Sequence, residues 1–168
     1  YIQYDDYPLR NGKILENYLP VIQYIANLAA EKGIEFHMVN QTFDMYDKGA
    51  QSVRKINAKE ANWVNNMSLG FGVDTMAYFT YFTCPYSTTE GESFIDGSSF
   101  VTLKGEKTPI YDIMQNIMSN NQKYAPTILN FEFKKSGVFA CLPMQTSASH
   151  LQYVDLNNTS YTKVKSVN

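Results

Sequence analysis

The 168-residue sequence is poor in the residues that most often announce a chemistry. Its two cysteines, Cys84 and Cys141, lie far apart, without metal-site spacing and without the makings of a disulfide framework. Each of its two histidines, His37 and His150, lacks a second ligand at metal spacing, so no metal site is expected. Gly70-Phe71-Gly72 precedes a strand-like run instead of following one, so the strand–glycine loop–helix signature that cradles phosphates is missing, and no cofactor is expected. Neither sign of charge dominates. With 14 Lys and Arg against 16 Asp and Glu, the net charge of −2 offers no basic surface for nucleic acid or an anionic membrane. No apolar run reaches the roughly 18 residues that a membrane-spanning helix needs.

What the chain does have is aromatic side chains: 13 Tyr and 10 Phe, 14% aromatic with the single Trp. Such an excess serves core and loop packing first, and it also suits stacking on sugar rings or bases. The most telling run is Thr75-Met76-Ala77-Tyr78-Phe79-Thr80-Tyr81-Phe82-Thr83-Cys84-Pro85, which is uncharged, β-branched or aromatic nearly throughout, and closed by proline. It reads as a strand buried on both faces, as in a parallel sheet. Tyr1–Tyr4 reads as the end of a similar strand, and Ile34–Val39 as a third.

Helices separate these strands. One is expected over 18–32, capped by Asn17, with Pro20 in its first turn and Gly33 at its end. A second begins at Asn57, with Glu60 three residues on in a capping-box arrangement. A third starts at Thr108-Pro109 and fades near Asn120-Asn121. After Pro126 the pattern changes to short runs, Thr127–Phe133, Gly137–Leu142 and Leu151–Asp155, which read as an antiparallel β module. The expected organisation is therefore α/β: three strand–helix units over residues 1–125, then the start of a β-rich domain over 126–168. Three parallel strands alone leave two open hydrophobic edges, which closure into an eight-stranded (β/α)8 barrel would remove. The expectation is the C-terminal part of a TIM barrel. Its partner units would lie on sequence outside this stretch or on another chain, and unpaired edges would otherwise favour a homo-oligomer.

Four segments carry a resemblance to a known family. Asp5-Asp6-Tyr7-Pro8-Leu9 resembles the acidic Tyr-Pro segment after a sixth barrel strand. Phe36-His37-Met38-Val39-Asn40-Gln41 resembles a seventh strand. Ala58 to Asp74, with Glu60, Trp63 and the Leu69-Gly70-Phe71-Gly72 turn, resembles the helix leading to the eighth, and Tyr78 to Thr83 with Gly105, Lys107, Thr108 and Tyr111 resembles that strand and its exit helix. Over about residues 1–125 the chain is thus similar to the end of the catalytic barrel of bacterial glycoside hydrolases related to family 42 β-galactosidases.

The resemblance implies a carbohydrate substrate and cleavage of a glycosidic bond by two carboxylates. These stand about 5–5.5 Å apart for retention and about 6.5–9.5 Å for inversion. It also implies that at least one of them lies outside this chain. The position matching the family's strand-seven nucleophile holds Gln41, an amide that cannot form a glycosyl ester; it either hydrogen-bonds a sugar hydroxyl or satisfies loop backbone at a strand end. Asp5 and Asp6 are adjacent, so their side chains leave an extended chain on opposite faces and only one can enter the barrel mouth. Asp6 is the expected catalytic carboxylate, with Asp5, Tyr7, Gln41, Tyr81 and Phe82 as expected substrate contacts. Of the loop carboxylates, Asp44, Asp47, Glu90, Glu92 and Asp96, one could bind sugar hydroxyls or supply a missing acid. Two rival functions remain open from the sequence: a non-catalytic carbohydrate-binding protein on a degenerate barrel, and a small α/β interaction domain.

Overall fold

A computed structural model describes residues 1–10, 13–47, 50–83, 92–94, 97–131, 133, 139–141 and 151–153. Its centre is a three-stranded parallel sheet of β1 (Ile2–Asp5), β4 (Phe36–Gln41) and β7 (Thr75–Phe79), in that order. The register aligns Tyr4 with Met38 and Met38 with Met76. Between β1 and β4 come the small hairpin β2 (Leu9–Arg10) and β3 (Lys13–Ile14), then helix α1 (Tyr18–Lys32). Between β4 and β7 come the antiparallel strands β5 (Met45–Asp47) and β6 (Ala50–Val53), then helix α2 (Ala58–Gly70). Strand β8 (Glu92–Phe94) pairs with β5, and helix α3 (Pro109–Ile128) follows.

The helix boundaries follow from local chemistry. Gly33 ends α1 with φ +63°, and its N–H reaches the Ala29 and Ala30 carbonyls. Asn17 precedes that helix without a side-chain capping bond. At α2 the capping box is complete: Asn57 Oδ1 accepts from the Lys59 and Glu60 N–H groups at 3.0 and 3.1 Å, and Glu60 Oε2 accepts from the Asn57 N–H at 3.0 Å. Arg54 grips the same Glu60 carboxylate with both guanidinium nitrogens. Thr108 turns its hydroxyl to the Ser99 and Phe100 carbonyls instead of capping α3, whose first residue is Pro109.

All three helices pack on one side of the sheet. Phe36 and Met38 join Tyr18, Ile22, Ala26 and Ala29 of α1 and Phe71 in one core cluster, with Tyr4 against it. Leu9, Ile56, Ala61, Val64, Phe100, Ile110, Met114 and Ile117 form a second, with Tyr78 against it and Trp63 touching both. Tyr4, Met38, Met76 and Tyr78 share one parity of the pleat, so this is a single face. A physical rule accounts for it. Strand order advances in one direction, and crossovers of one hand then put every covering helix on the same side.

The other face carries no helix among the described residues. Gln3, Asp5, Thr75 and Ala77 are exposed there. The expectation that Thr75–Pro85 is a strand buried on both faces is therefore corrected twice: only the Met76 and Tyr78 side is covered, and the strand stops at Phe79. The peptide bond after Phe79 is cis.

Helix α3 also outruns its expected end. Asn121 is held by Asn65 of α2, the two amides bonding reciprocally at 2.7 and 3.1 Å, and Tyr78 donates to the same Asn65 Oδ1 at 2.9 Å. These bonds keep the polar Asn120-Asn121 pair helical. Pro126 is accommodated in the last turns, so Thr127 and Ile128 are helical and Leu129–Phe131 a turn, where a strand was expected. Strands β9 (Phe139–Cys141) and β10 (Leu151–Tyr153) pair antiparallel within the two later runs read as strands. The rest of the region expected to form a β domain lies outside the described residues.

Candidate functional site

The carboxyl ends of β1, β4 and β7 meet at one end of the bare face. Register sets Asp5 opposite Val39 and Ala77, and Gln41 opposite Phe79. Just beyond them, Tyr7, Phe43 and Phe79 make an aromatic cluster. Tyr7 and Phe43 meet edge to face at 4.6 Å, Phe43 and Phe79 at 5.2 Å, and Tyr7 and Phe79 lie tilted at 6.0 Å. Phe43 is buried, while Tyr7 and Phe79 are partly open. At the opposite, amino end of the face, Tyr1 stacks on His37 at 4.4 Å and His37 Nε2 lies 2.8 Å from Glu35.

The two adjacent aspartates part as extended-chain geometry requires. Asp6 turns to the helix side: Oδ2 accepts from the Tyr4 hydroxyl at 2.9 Å, Oδ1 accepts from the Tyr7 N–H at 2.8 Å, and Arg10 stands 3.9 Å away. Burial first, then the Asp6 carboxylate, pushes the Tyr4 phenol well above its ordinary range. Asp5 is the aspartate left exposed on the bare face. Burial, then hydrogen bonding to Asp5, likewise raises the Tyr7 phenol far above its ordinary value. Tyr7 therefore stays a neutral donor beside Asp5 at any physiological pH. Asp6, the expected catalytic carboxylate, thus stands on the helix side with both oxygens engaged in holding the turn.

Gln41 is fully buried and both ends of its amide are used. Oε1 accepts from the Leu9 N–H at 3.0 Å; Nε2 donates to the Arg54 carbonyl at 2.7 Å and more weakly to the Phe43 carbonyl at 3.5 Å. Of the two roles open to it from the sequence, this geometry is that of the amide satisfying loop backbone. It ties the β2 hairpin and the segment entering α2 to the end of β4.

Tyr81 and Phe82, the other expected contacts, lie past the end of β7 and are 57% and 55% exposed. Tyr81 packs edge-on against Phe100 at 6.0 Å and lines a groove of about 590 Å³ with Tyr111, Gln115, Met118 and Gln122 of α3. Phe82 bridges to Val101 through backbone. The ring at the strand end is Phe79, which has the same parity as Tyr81 and was passed over because the strand was read as longer. Phe43 was missed as well; its signal was an aromatic two residues beyond the last residue of β4.

Comparison of the chain with protein-family models, with curated proteins and with solved structures gives no match. Among the described residues no three His, Cys, Asp or Glu side chains gather to hold a metal ion, and no helix is long and apolar enough to cross a membrane. The expected loop contacts Glu90 and Asp96 lie outside the described residues, and of Glu92 only the backbone is described. Asp47 is half-buried in β5, and Asp44 is buried.

Proposed function

We propose that this chain provides three consecutive strand–helix units of a (β/α)8 barrel in a carbohydrate-active protein, a glycoside hydrolase resembling family 42 β-galactosidases. The observation that carries the reading is the one-sided sheet with the exposed Asp5 and the Tyr7–Phe43–Phe79 cluster at the carboxyl ends of the strands. A sheet that advances in one direction with helices on one side fits the arc of a barrel wall, and in this reading its bare, partly polar face is the wall's inner side. In barrel enzymes the ligand is met where strands end, and here that place offers one solvent-facing carboxylate, one neutral phenol and apolar rings. Rings suit the C–H face of a pyranose, and carboxylates suit its hydroxyls.

In this reading Asp5 takes the ligand-facing role that the sequence had given to Asp6, Tyr7 orients Asp5, and Phe79 contacts the sugar ring. About five further units complete the barrel from other sequence, in the same polypeptide or another chain. One of them carries the second carboxylate. A second reading, a carbohydrate-binding protein without hydrolysis, draws support from Gln41: its amide is not a nucleophile, and it is committed to backbone.

The test is turnover of nitrophenyl β-galactoside and related glycosides, with calorimetric binding of methyl β-galactopyranoside, for wild type, Asp5→Asn and Phe79→Ala. Hydrolysis lost in Asp5→Asn supports the hydrolase. Binding without turnover, weakened in both variants, supports the binding protein. Unchanged behaviour of both variants, or no turnover and no binding in wild type, defeats the proposal.

A further inference from the structure

The parallel sheet ends at two edges, and the two are unlike. Helix α1 spans the seam between β1 and β4, where Tyr18, Ile22, Ala26 and Ala29 cover Phe36 and Met38 with Tyr4 alongside. Helix α2 spans the next seam: Asn40 Nδ2 of β4 donates to Ser68 Oγ at 3.1 Å, and the Tyr78 hydroxyl of β7 donates to Asn65 Oδ1 at 2.9 Å. Helix α3 comes next along the sheet, joined to α2 through the Asn65–Asn121 amides. Each helix follows its strand with the same hand, so α3 overhangs the outer edge of β7, whereas no described helix lies beyond β1. One edge has a roof and the other has none.

Under that roof lies the groove of about 590 Å³. Tyr111, Gln115, Met118 and Gln122 recur every three or four residues, the spacing of one helix flank, and Tyr81 closes the other side. Among the described residues no charged side chain lines it. Over residues 75–78 the outer edge of β7 pairs with no described strand, and the strand has no charge and no proline to deter pairing. A row of backbone N–H and C=O groups is completed by another strand.

Strand β1 of a second copy is suited to that place. Its outer edge pairs with no described strand, and Ile2-Gln3-Tyr4 is uncharged, so the two edges meet without like-charge repulsion. Ile2 shares the covered parity with Tyr4 and is partly exposed, so in a parallel pairing it would point toward the groove. The incoming copy repeats the relation of β1 to β4 and of β4 to β7, which sets its own α1 over the following seam and clear of α3. Two β7 edges joined about a two-fold axis would instead bring both α3 helices over one seam.

We propose that the chain associates head to tail, the β1 edge of one copy adding in parallel to the β7 edge of another beneath α3. Such a contact is heterologous; repeated, it closes into a ring or runs on as an open chain of copies. Head-to-tail pairing rests on the barrel reading only in its geometry, the one-sided sheet, and requires no sugar. It draws from copies of this chain the neighbouring units that the barrel reading leaves to the same polypeptide or another.

The test is sedimentation velocity of the full chain over a wide range of concentration, with disulfide trapping in a Cys84→Ser, Cys141→Ser background. Gln3→Cys is mixed with Thr75→Cys or with Ala77→Cys. Gln3 and Thr75 stand at one level of the sheet through His37, and all three positions are exposed on the bare face. Side-by-side residues on neighbouring strands are within the Cα separation of a disulfide. A sedimentation coefficient that rises with concentration is expected, with a cross-linked pair of copies in one of the two mixtures and none in any variant alone. Ala77→Lys, which sets a charge at the open edge, should raise the midpoint concentration of association at least about tenfold while its circular dichroism stays that of the parent.

A species of one chain's mass at every concentration overturns the proposal. So does a cross-link of any one variant to itself, which marks a two-fold contact, or association without a cross-link in either mixture, which puts the interface elsewhere. An unchanged midpoint in a well-folded Ala77→Lys overturns it too; should that variant fold poorly, the trapping decides alone. Glycoside binding in a chain that never associates removes this contact and leaves the site reading standing, and the expected cross-link without any sugar binding does the reverse.

Discussion

Replacing Gln41 with glutamate exchanges one amide nitrogen for an oxygen at almost constant size. In the native protein that nitrogen donates to the Arg54 carbonyl at 2.7 Å, while Oε1 receives the Leu9 N–H at 3.0 Å. An ionised glutamate keeps the second bond and turns the first into two acceptors facing each other. The lost bond is worth about 1 kcal/mol, and a buried acceptor left without a donor costs about 1–3 kcal/mol more. We expect a loss near 3 kcal/mol at pH 7, which for a chain of this size lowers Tm by roughly 6–12 °C. A protonated glutamate, however, has an O–H that can serve the Arg54 carbonyl. The folded state therefore holds the proton more tightly than the unfolded chain, where a glutamate titrates near 4.3. Its folded pKa is raised, so stability is full below about pH 4 and lost as pH rises through the folded value. Melting curves of wild type and Gln41→Glu, compared at each pH from 4 to 8, read this directly. A variant as stable as wild type at pH 7, or a deficit of equal size at pH 4 and pH 7, would refute the role of Gln41 as a backbone clamp.

Two further outcomes follow from the same contacts. The Arg54 guanidinium, helped by the Asn57 N–H, holds the Glu60 carboxyl below its usual value of 4.5, so its contribution is present above that pH and lost as pH falls through the lower folded value; Glu60→Gln should be less stable at pH 6 and should approach wild type near pH 3, and parallel pH profiles would contradict this. Gly33 and Gly72 both have positive φ, 63° and 68°, but a Cβ on Gly33 meets nothing whereas one on Gly72 runs into the Phe133 ring. Gly33→Ala should cost about 1–2 kcal/mol of chemical-denaturation stability and Gly72→Ala distinctly more, and equal losses would show that Phe133 moves aside freely.

The resemblance at the centre of the sequence reading concerns a barrel wall, and the sheet bears on it through direction alone. Strand order β1-β4-β7 advances without reversal. A barrel wall advances in this way with its helices on one side, as does each half of a doubly wound sheet before its order reverses. This geometry and the residues on the bare face support the proposed function.

The sequence by itself determined what is local. Apolar spacing, Pro20, the Asn57–Glu60 box and Gly33 located the helices, because a cap or a C-terminal glycine acts within a few residues of itself. Alternation along an extended chain established that Asp5 and Asp6 diverge. Which of them faces the bare side was decided only when α1 packed against Tyr4 and drew Asp6 to the covered side through the Tyr4 hydroxyl. The length of α3 depended on an amide pair between Asn65 and Asn121, separated by 56 residues, and so could not be read from the polar composition at its end. Gln41 stood at the right strand end in the sequence, but its partners are Leu9 and Arg54, 32 and 13 residues away, and only folding brings those backbone groups within hydrogen-bonding distance. The aromatic cluster likewise joins three separate segments. Local chemistry sets the elements, and the long-range hydrogen bonds and ring contacts that only tertiary structure creates decide which of their residues hold the fold and which are left to meet a ligand.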